Sequence, residues 1–385
     1  MKKNKLTKAL LLIAPLLLVV SCNKDSKKQQ EETKQPNIVG VEVENPQTEY
    51  DLREEFEPSA DMKVLAKLSD GSKRELSKKE YSFDLSKLDR TRAGEYPVTV
   101  KVNDTDFSID YKVKVNPLDS FSILIIGNSH SDDTIQWTHE IAKDLGLKDV
   151  FVSDLYIGAC SLDIHYDNLL HDRNSYEFRT YKNGAWTTRP NTSIIDAILS
   201  IDGAEWDYVC LQERTWQGAL NYHWDLLDLY IELLSMYVSP ETKFVFNTTW
   251  AYTLAYGASE ENALVKYFDS DQQKMYSMSQ TAEQTYVYPR DDIEFVISGG
   301  TAVQNARSSY LEEKRINRDY THLTYDLGRY IVGLNLIKTV TDVDISHLTW
   351  APAGVTDLER KIAIESVEHC ITNRFSVTPS VYTEA

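Results

Sequence analysis

Basic residues are scarce in this chain: 41 Lys and Arg stand against 59 Asp and Glu in 385 residues, a net charge of −18. Removal of a leader carrying Lys2, Lys3, Lys5 and Lys8 would deepen this to about −22, a balance that disfavours nucleic acid and anionic headgroups as partners. Cysteine is scarce as well. Of four, Cys22 stands apart near the start, and Cys160, Cys210 and Cys370 are odd in number, with Cys210 inside the apolar run Tyr208-Val209-Cys210-Leu211. That count excludes a disulfide framework and, with no Cys-x-x-Cys spacing, a zinc site of the usual kind; the three read as buried free thiols. Long apolar runs are nearly absent too. The exception, Ala9 to Val20, has twelve residues, too few to span a bilayer comfortably.

That one run belongs to a leader. Residues 1–22 have a basic start, the apolar stretch and then Ser21-Cys22, the order of a signal peptide. The ending Leu18-Val19-Val20-Ser21-Cys22 resembles a bacterial lipobox, which implies cleavage before Cys22, lipidation of its thiol, and a mature protein tethered to the cell envelope with its domains in water. Residues 23–36 contain no apolar residue and read as a flexible tether.

The remainder of the chain is well supplied with apolar residues, 42% over the full length, enough for two cores. Over 37–117, alternating segments such as Ile38-Val39-Gly40-Val41-Glu42-Val43 and Tyr96-Pro97-Val98-Thr99-Val100-Lys101-Val102 are separated by Asp70-Gly71 and Ala93-Gly94, the pattern of a small all-β sandwich. The stretch Tyr50 to Leu76, with Phe56-Glu57-Pro58-Ser59 and the later Gly94-Glu95-Tyr96, resembles the bacterial Ig-like domains of surface proteins, here a spacer. Asn116-Pro117 marks the boundary, because proline cannot continue a ladder.

Beyond it, over 118–375, strands alternate with helices. The pattern predicts strands at 122–126, 150–156, 206–211, 243–247 and 294–298, and helices at about 132–145, 191–200, 223–237, 259–284, 323–340 and 356–373. Such alternation means an α/β domain with a parallel sheet covered on both faces. In a sheet of that kind ligand sites form beyond the strands' C-terminal ends, so the residues there are the ones to inspect.

The first strand runs into Gly127-Asn128-Ser129, placing Ser129 at a sharp turn before a helix, where backbone N–H groups favour a developing anion. A serine hydroxyl needs a base, and His322 supplies an imidazole; Asp319, three residues earlier, is placed to fix its tautomer. Oxyanion donors are available in the N–H of Ser129, the N–H of Gly158 and the Gln212 amide. These blocks, Gly127-Asn128-Ser129, Gly158, Gln212 and Asp319-x-x-His322, resemble those of the SGNH (GDSL-type) hydrolases, with asparagine at 128 where many members have aspartate and glutamine at 212 where they have asparagine. The resemblance implies a three-layer α/β/α, flavodoxin-like sheet and ester hydrolysis through an acyl-serine, with no cofactor.

Trp216, Trp250 and Tyr252 come after the third and fourth strands and offer flat faces for sugar rings, which points to an acylated carbohydrate as substrate. Two alternatives remain: a glycan-binding lipoprotein on the same fold, and a lipid esterase. Other clusters point less far. His130, Asp132 and Asp133, or Asp163, His165 and His171, carry metal-ligating atoms without a recognised ligand spacing; Cys160 is a nucleophile without a partnered base; and Gly-Asn-Ser lacks the Gly-Lys-Ser/Thr ending of a phosphate loop.

Overall fold

In a computed structural model, residues 36–182, 184–200 and 205–384 are described. The leader with Cys22, and residues 23–35 of the tether, lie outside them.

The N-terminal unit is a sandwich of two sheets. Strands β1 (Ile38–Glu44), β3 (Lys63–Leu68) and β4 (Lys73–Glu75) form one; β2 (Glu49–Asp51), β7 (Ser108–Asn116), β6 (Gly94–Val102) and β5 (Tyr81–Asp84) form the other. Alternation places Val64, Ala66, Val98, Val100, Val113 and Val115 inward, all nearly inaccessible, while charged neighbours face water.

The second unit is built on a seven-stranded sheet in the order β11-β10-β9-β8-β12-β13-β14: β8 (Ser120–Gly127), β9 (Asp149–Tyr156), β10 (Tyr176–Lys182), β11 (Ala185–Thr192), β12 (Tyr208–Leu211), β13 (Lys243–Thr248) and β14 (Val296–Ser298). The five strands from β9 to β14 in that order are parallel. Renumbered among themselves they run 2-1-3-4-5, the flavodoxin-like order, with the switch point between β8 and its two neighbours.

Both faces of β8 are buried, which explains its unbroken apolar run: Ile123 and Ile125 enter one core with Cys210, Val245 and Ile297, and Leu124 and Ile126 enter the other with Val209, Leu211 and Phe246. The first core is closed by α9 (Gly299–Arg307), α11 (Leu327–Thr341) and α12 (Asp357–Thr372), the second by α3 (Leu162–Leu170), α4 (Ile194–Ile198) and α6 (Leu227–Leu234). Cys160, Cys210 and Cys370 are buried free thiols.

Three expectations need correction. The helix expected at about 259–284 is two, α7 (Ala263–Tyr267) and α8 (Gln272–Tyr286), parted at Asp269 and Ser270, whose φ angles of 55° and 61° cannot continue a helix. The helix expected at 132–145 is two, α1 (Ser129–Ile135) and α2 (Thr138–Asp144). The break at Gln136 and Trp137 is held by side chains from elsewhere: the Trp186 indole donates to the Gln136 carbonyl at 3.2 Å, and the Trp137 indole donates to Tyr325 O at 2.8 Å. The sheet is also mixed. The β10–β11 hairpin adds two antiparallel strands at the edge, pairing with β9 through Phe178 and Leu155.

Candidate active site

The site grows from the end of β8. At Gly127 a Cβ would lie 2.5 Å from the Ser131 hydroxyl oxygen and 2.7 Å from its Cβ, so only glycine lets the chain turn directly into α1. Asn128 caps that helix through Oδ1, which accepts the His130 N–H at 3.0 Å. Its Nδ2 donates to Cys160 O at 2.9 Å and so ties the turn to the loop after β9. Ser129 then opens the helix, and among the described residues neither its N–H nor that of Gly158 has a hydrogen-bond partner. Gly127 and Tyr156 are paired in register, so the loop that carries Gly158 leaves β9 beside the turn that carries Ser129, and Ala159 of that loop lines the same cleft as Ser129.

The base comes from the loop before α11. His322 Nε2 lies 2.8 Å from the Ser129 hydroxyl, and His322 Nδ1 lies 2.8 Å from Asp319 Oδ2. Asp319 Oδ1 accepts the N–H groups of Thr321 at 2.8 Å and His322 at 2.7 Å, so one short turn orients both carboxylate oxygens. Partial burial opposes ionisation of Asp319, but those N–H groups and the imidazole outweigh it and hold the carboxyl below its ordinary range. An ionised Asp319 places the imidazole proton on Nδ1 and leaves Nε2 free to accept from the Ser129 hydroxyl.

Residues given other expectations brace this loop. Trp250 is fully buried, not a platform, and its indole donates to Thr321 O at 2.7 Å. His130 packs edge-on against Trp250 with its Nε2 3.3 Å from the same carbonyl; burial, with His322 nearby, pushes its pKa down to about 3, so it stays neutral. Asp133 is inaccessible, accepts the Leu323 N–H at 2.9 Å and pairs with Arg318 and Arg329, while Asp132 pairs with Arg179 and Arg329. Helix α1 is thereby clamped to the histidine loop by charge-assisted bonds. The other cluster is dispersed: His165 is buried against Tyr176, His171 is exposed beside Asp167, and Asp163 accepts from Ser161. The Cys160 thiol is pushed up by burial and stays protonated.

Gln212 does not reach the cleft. It is fully buried beneath the turn, with Nε2 donating to Asn128 Oδ1 at 2.7 Å and Oε1 accepting from Asn247 Nδ2 at 3.1 Å. The extra methylene relative to asparagine carries the amide to Asn128, where it supports the capping oxygen.

Above Ser129 lies a cleft of about 320 Å³, lined by Ser129, His322, Arg214, Trp216, Tyr252 and Tyr267 among others. Trp216 stacks on Tyr267 of α7 (Ala263–Tyr267), with ring centres 4.9 Å apart; Tyr252 is nearly buried. Glu213, the second residue of the Gln-Glu pair after β12, is buried and accepts from Leu162 N at 3.2 Å and Arg214 N at 2.5 Å, with His223 Nδ1 3.2 Å away. It joins the loop after β9 to the start of α5 (Thr215–Ala219). Arg214 carries no signal in the sequence beyond its position directly after a strand.

Comparison with known proteins matches each of the two units to a family. Residues 43–115 match the bacterial Ig-like domain (group 3), and residues 122–369 match the Domain of unknown function (DUF4886). A DUF4886 family protein from Bacteroides uniformis ATCC 8492 superposes with a TM-score of 0.62 at 26% identity, covering 69% of this chain and 100% of that one. An acetyl-xylooligosaccharide esterase mutant from Geobacillus stearothermophilus superposes with a TM-score of 0.33 at 11% identity, covering 57% and 94%. The curated proteins offer no match. With the matched region spanning most of the chain and carrying the whole Ser129, His322 and Asp319 arrangement, the protein belongs to the DUF4886 family, preceded by a bacterial Ig-like domain.

Proposed function

We propose that this protein is a serine esterase that removes acyl groups, O-acetyl foremost, from carbohydrate at the bacterial cell envelope. The observation that carries the reading is the continuous chain from Ser129 Oγ to His322 to Asp319, with two links of 2.8 Å, at the switch point of the sheet. His322 Nε2 takes the hydroxyl proton as Ser129 Oγ attacks the ester carbonyl, and the Asp319 carboxylate stabilises the imidazolium. The N–H groups of Ser129 and Gly158 receive the oxyanion. His322 then returns the proton to the leaving alkoxide, and a water activated by the same base releases the acid. The stacked Trp216–Tyr267 pair supports a sugar ring as the alcohol, and the lipobox-like ending at Cys22 supports an extracytoplasmic, lipid-anchored site of action.

Acetate release from a panel of acetylated polysaccharides, together with labelling by a serine-directed phosphonate, tests the reading. Label on Ser129 that disappears in His322→Ala is expected; turnover that survives Ser129→Ala would overturn it. The engagement of the Gln212 amide by Asn128 favours a second reading, a glycan-binding protein with little turnover. Glycan binding by a protein that neither takes the label nor releases acetate would establish it.

A further inference from the structure

One wall of the cleft carries a cation with no acid to answer it. Arg179, Arg315, Arg318 and Arg329, all at least partly buried in this domain, each pair with a carboxylate, and Arg307 donates to the amide oxygens of Gln304 and Asn317. Arg214, also partly buried, has no carboxylate within ion-pair distance among the described residues. Its neighbour Glu213 faces the other way, engaged by Leu162, His223 and the Arg214 backbone. The Arg214 guanidinium lies instead on the cleft side, its carbon 5.4 Å from the Trp216 ring centre and its donors beside the Tyr252 hydroxyl. Lys266 lines the same cleft, with its ammonium 5.0 Å from the Tyr267 ring centre, and Glu261 is the one acid there among the described residues.

A partly desolvated arginine that has no carboxylate partner and opens onto a cleft is suited to holding a planar carboxylate through two parallel hydrogen bonds. The chain as a whole repels anions, so steering at long range does not explain it; a direct contact inside the cleft does. The cation sits next to an aromatic pair suited to a sugar face and opens onto the same cleft as Ser129.

We propose that Arg214 is a specificity-determining residue that binds a carboxylate on the sugar bearing the scissile ester, so that the preferred substrates are acylated acidic glycans. This deepens the esterase reading and rests on it. The test compares kcat/KM for an acetylated uronic-acid oligosaccharide with that for its carboxyl-reduced counterpart. The native protein is expected to favour the acid by about 10- to 100-fold, the range of a charge-assisted bidentate contact. Arg214→Gln should bring the ratio close to one, and Arg214→Lys should retain part of it, because the charge survives without the fork. A native ratio of one or below overturns the proposal. So does an Arg214→Gln variant in which both substrates slow equally, since that marks a structural or oxyanion role. Should neither ester be cleaved, the esterase reading fails, and calorimetric binding of the deacylated uronic-acid oligosaccharide decides the matter separately: binding weakened by Arg214→Gln sustains the carboxylate contact, and equal binding overturns it.

Discussion

At the scale of single residues, the arrangement makes three predictions. In the proposed mechanism Ser129 and His322 act as one unit, so Ser129→Ala and His322→Ala should each lower kcat by about four or more powers of ten, with the double variant losing little more in single-turnover assays. Gln212→Ala should expose a structural role, because it strands Asn247 Nδ2 in a buried site and leaves Asn128 Oδ1 with the His130 N–H alone, at a cost of about 1–3 kcal/mol by denaturant unfolding, and lowers kcat through the displaced turn. A donor aimed at the oxyanion would instead cost activity while leaving stability almost untouched. The third concerns Asp154, fully buried in β9, whose carboxyl is pushed up to about 8 by desolvation. Its folded pKa stands above the unfolded value near 4, so its contribution to stability is intact below about pH 4 and declines as pH rises towards 8. Glu283 of α8 (Gln272–Tyr286), also raised to about 8 by burial, adds in the same direction. Asp154→Asn should flatten the fall in stability between pH 5 and pH 8 by about 1–3 kcal/mol, read from denaturation midpoints at the two values.

At the scale of elements, the strands that carry the site were the most legible, since a segment buried on both faces must be apolar throughout, as Ile123 to Ile126 are. The β10–β11 hairpin was not. It lies at the sheet edge with one face to water, so its residues mix polar and aromatic types, and its signal was local: the Asn183-Gly184 pair, with Gly184 at φ +82°, between two alternating stretches. The hairpin is tied to the site, because Arg179 of β10 pairs with Asp132 of α1, and Trp186 of β11 holds the helix break at Gln136. Trp186→Ala should therefore free the Gln136 carbonyl and loosen α1, raising amide exchange across residues 129–135 and lowering kcat more than KM changes.

For the whole molecule, the Ig-like unit is docked at the sheet edge opposite the cleft. Arg53 donates to Val340 O at 2.7 Å and Thr339 O at 2.5 Å, the last carbonyls of α11, and lies over the Phe295 ring at 4.2 Å. The Ala93 N–H donates to Asp342 at 2.7 Å, and Arg92 pairs with the same carboxylate at 3.3 Å. A cation at a helix C-terminus compensates the carbonyl dipoles there, so Arg53 of the Ig-like unit favours the end of α11. Deleting residues 23–117 should leave turnover of small esters intact, since Ser129 and His322 are held from within the second unit. Thermal unfolding should stay cooperative but begin at lower temperature; loss of the cooperative transition would show that the two units share a core.

The sequence by itself determined what depends on neighbours along the chain: the period-2 pattern of the sandwich, the apolar strands, the glycine turn into Ser129, and the Asp319-x-x-His322 spacing that lets one residue orient the other. It also determined that residues at strand ends would converge, because a parallel sheet delivers all its C-terminal ends to one edge. Only the tertiary structure decided which of those residues face the cleft. Trp250 and Gln212 come after their strands as Trp216 and Arg214 do, yet the first two turn inward, to Thr321 O and Asn128 Oδ1, and the last two line the cleft. The reason is physical: a side chain's direction past the end of a strand is set by which buried donor or acceptor needs a partner, and those partners lie 35 or more residues away in sequence, as Asn247 does from Gln212.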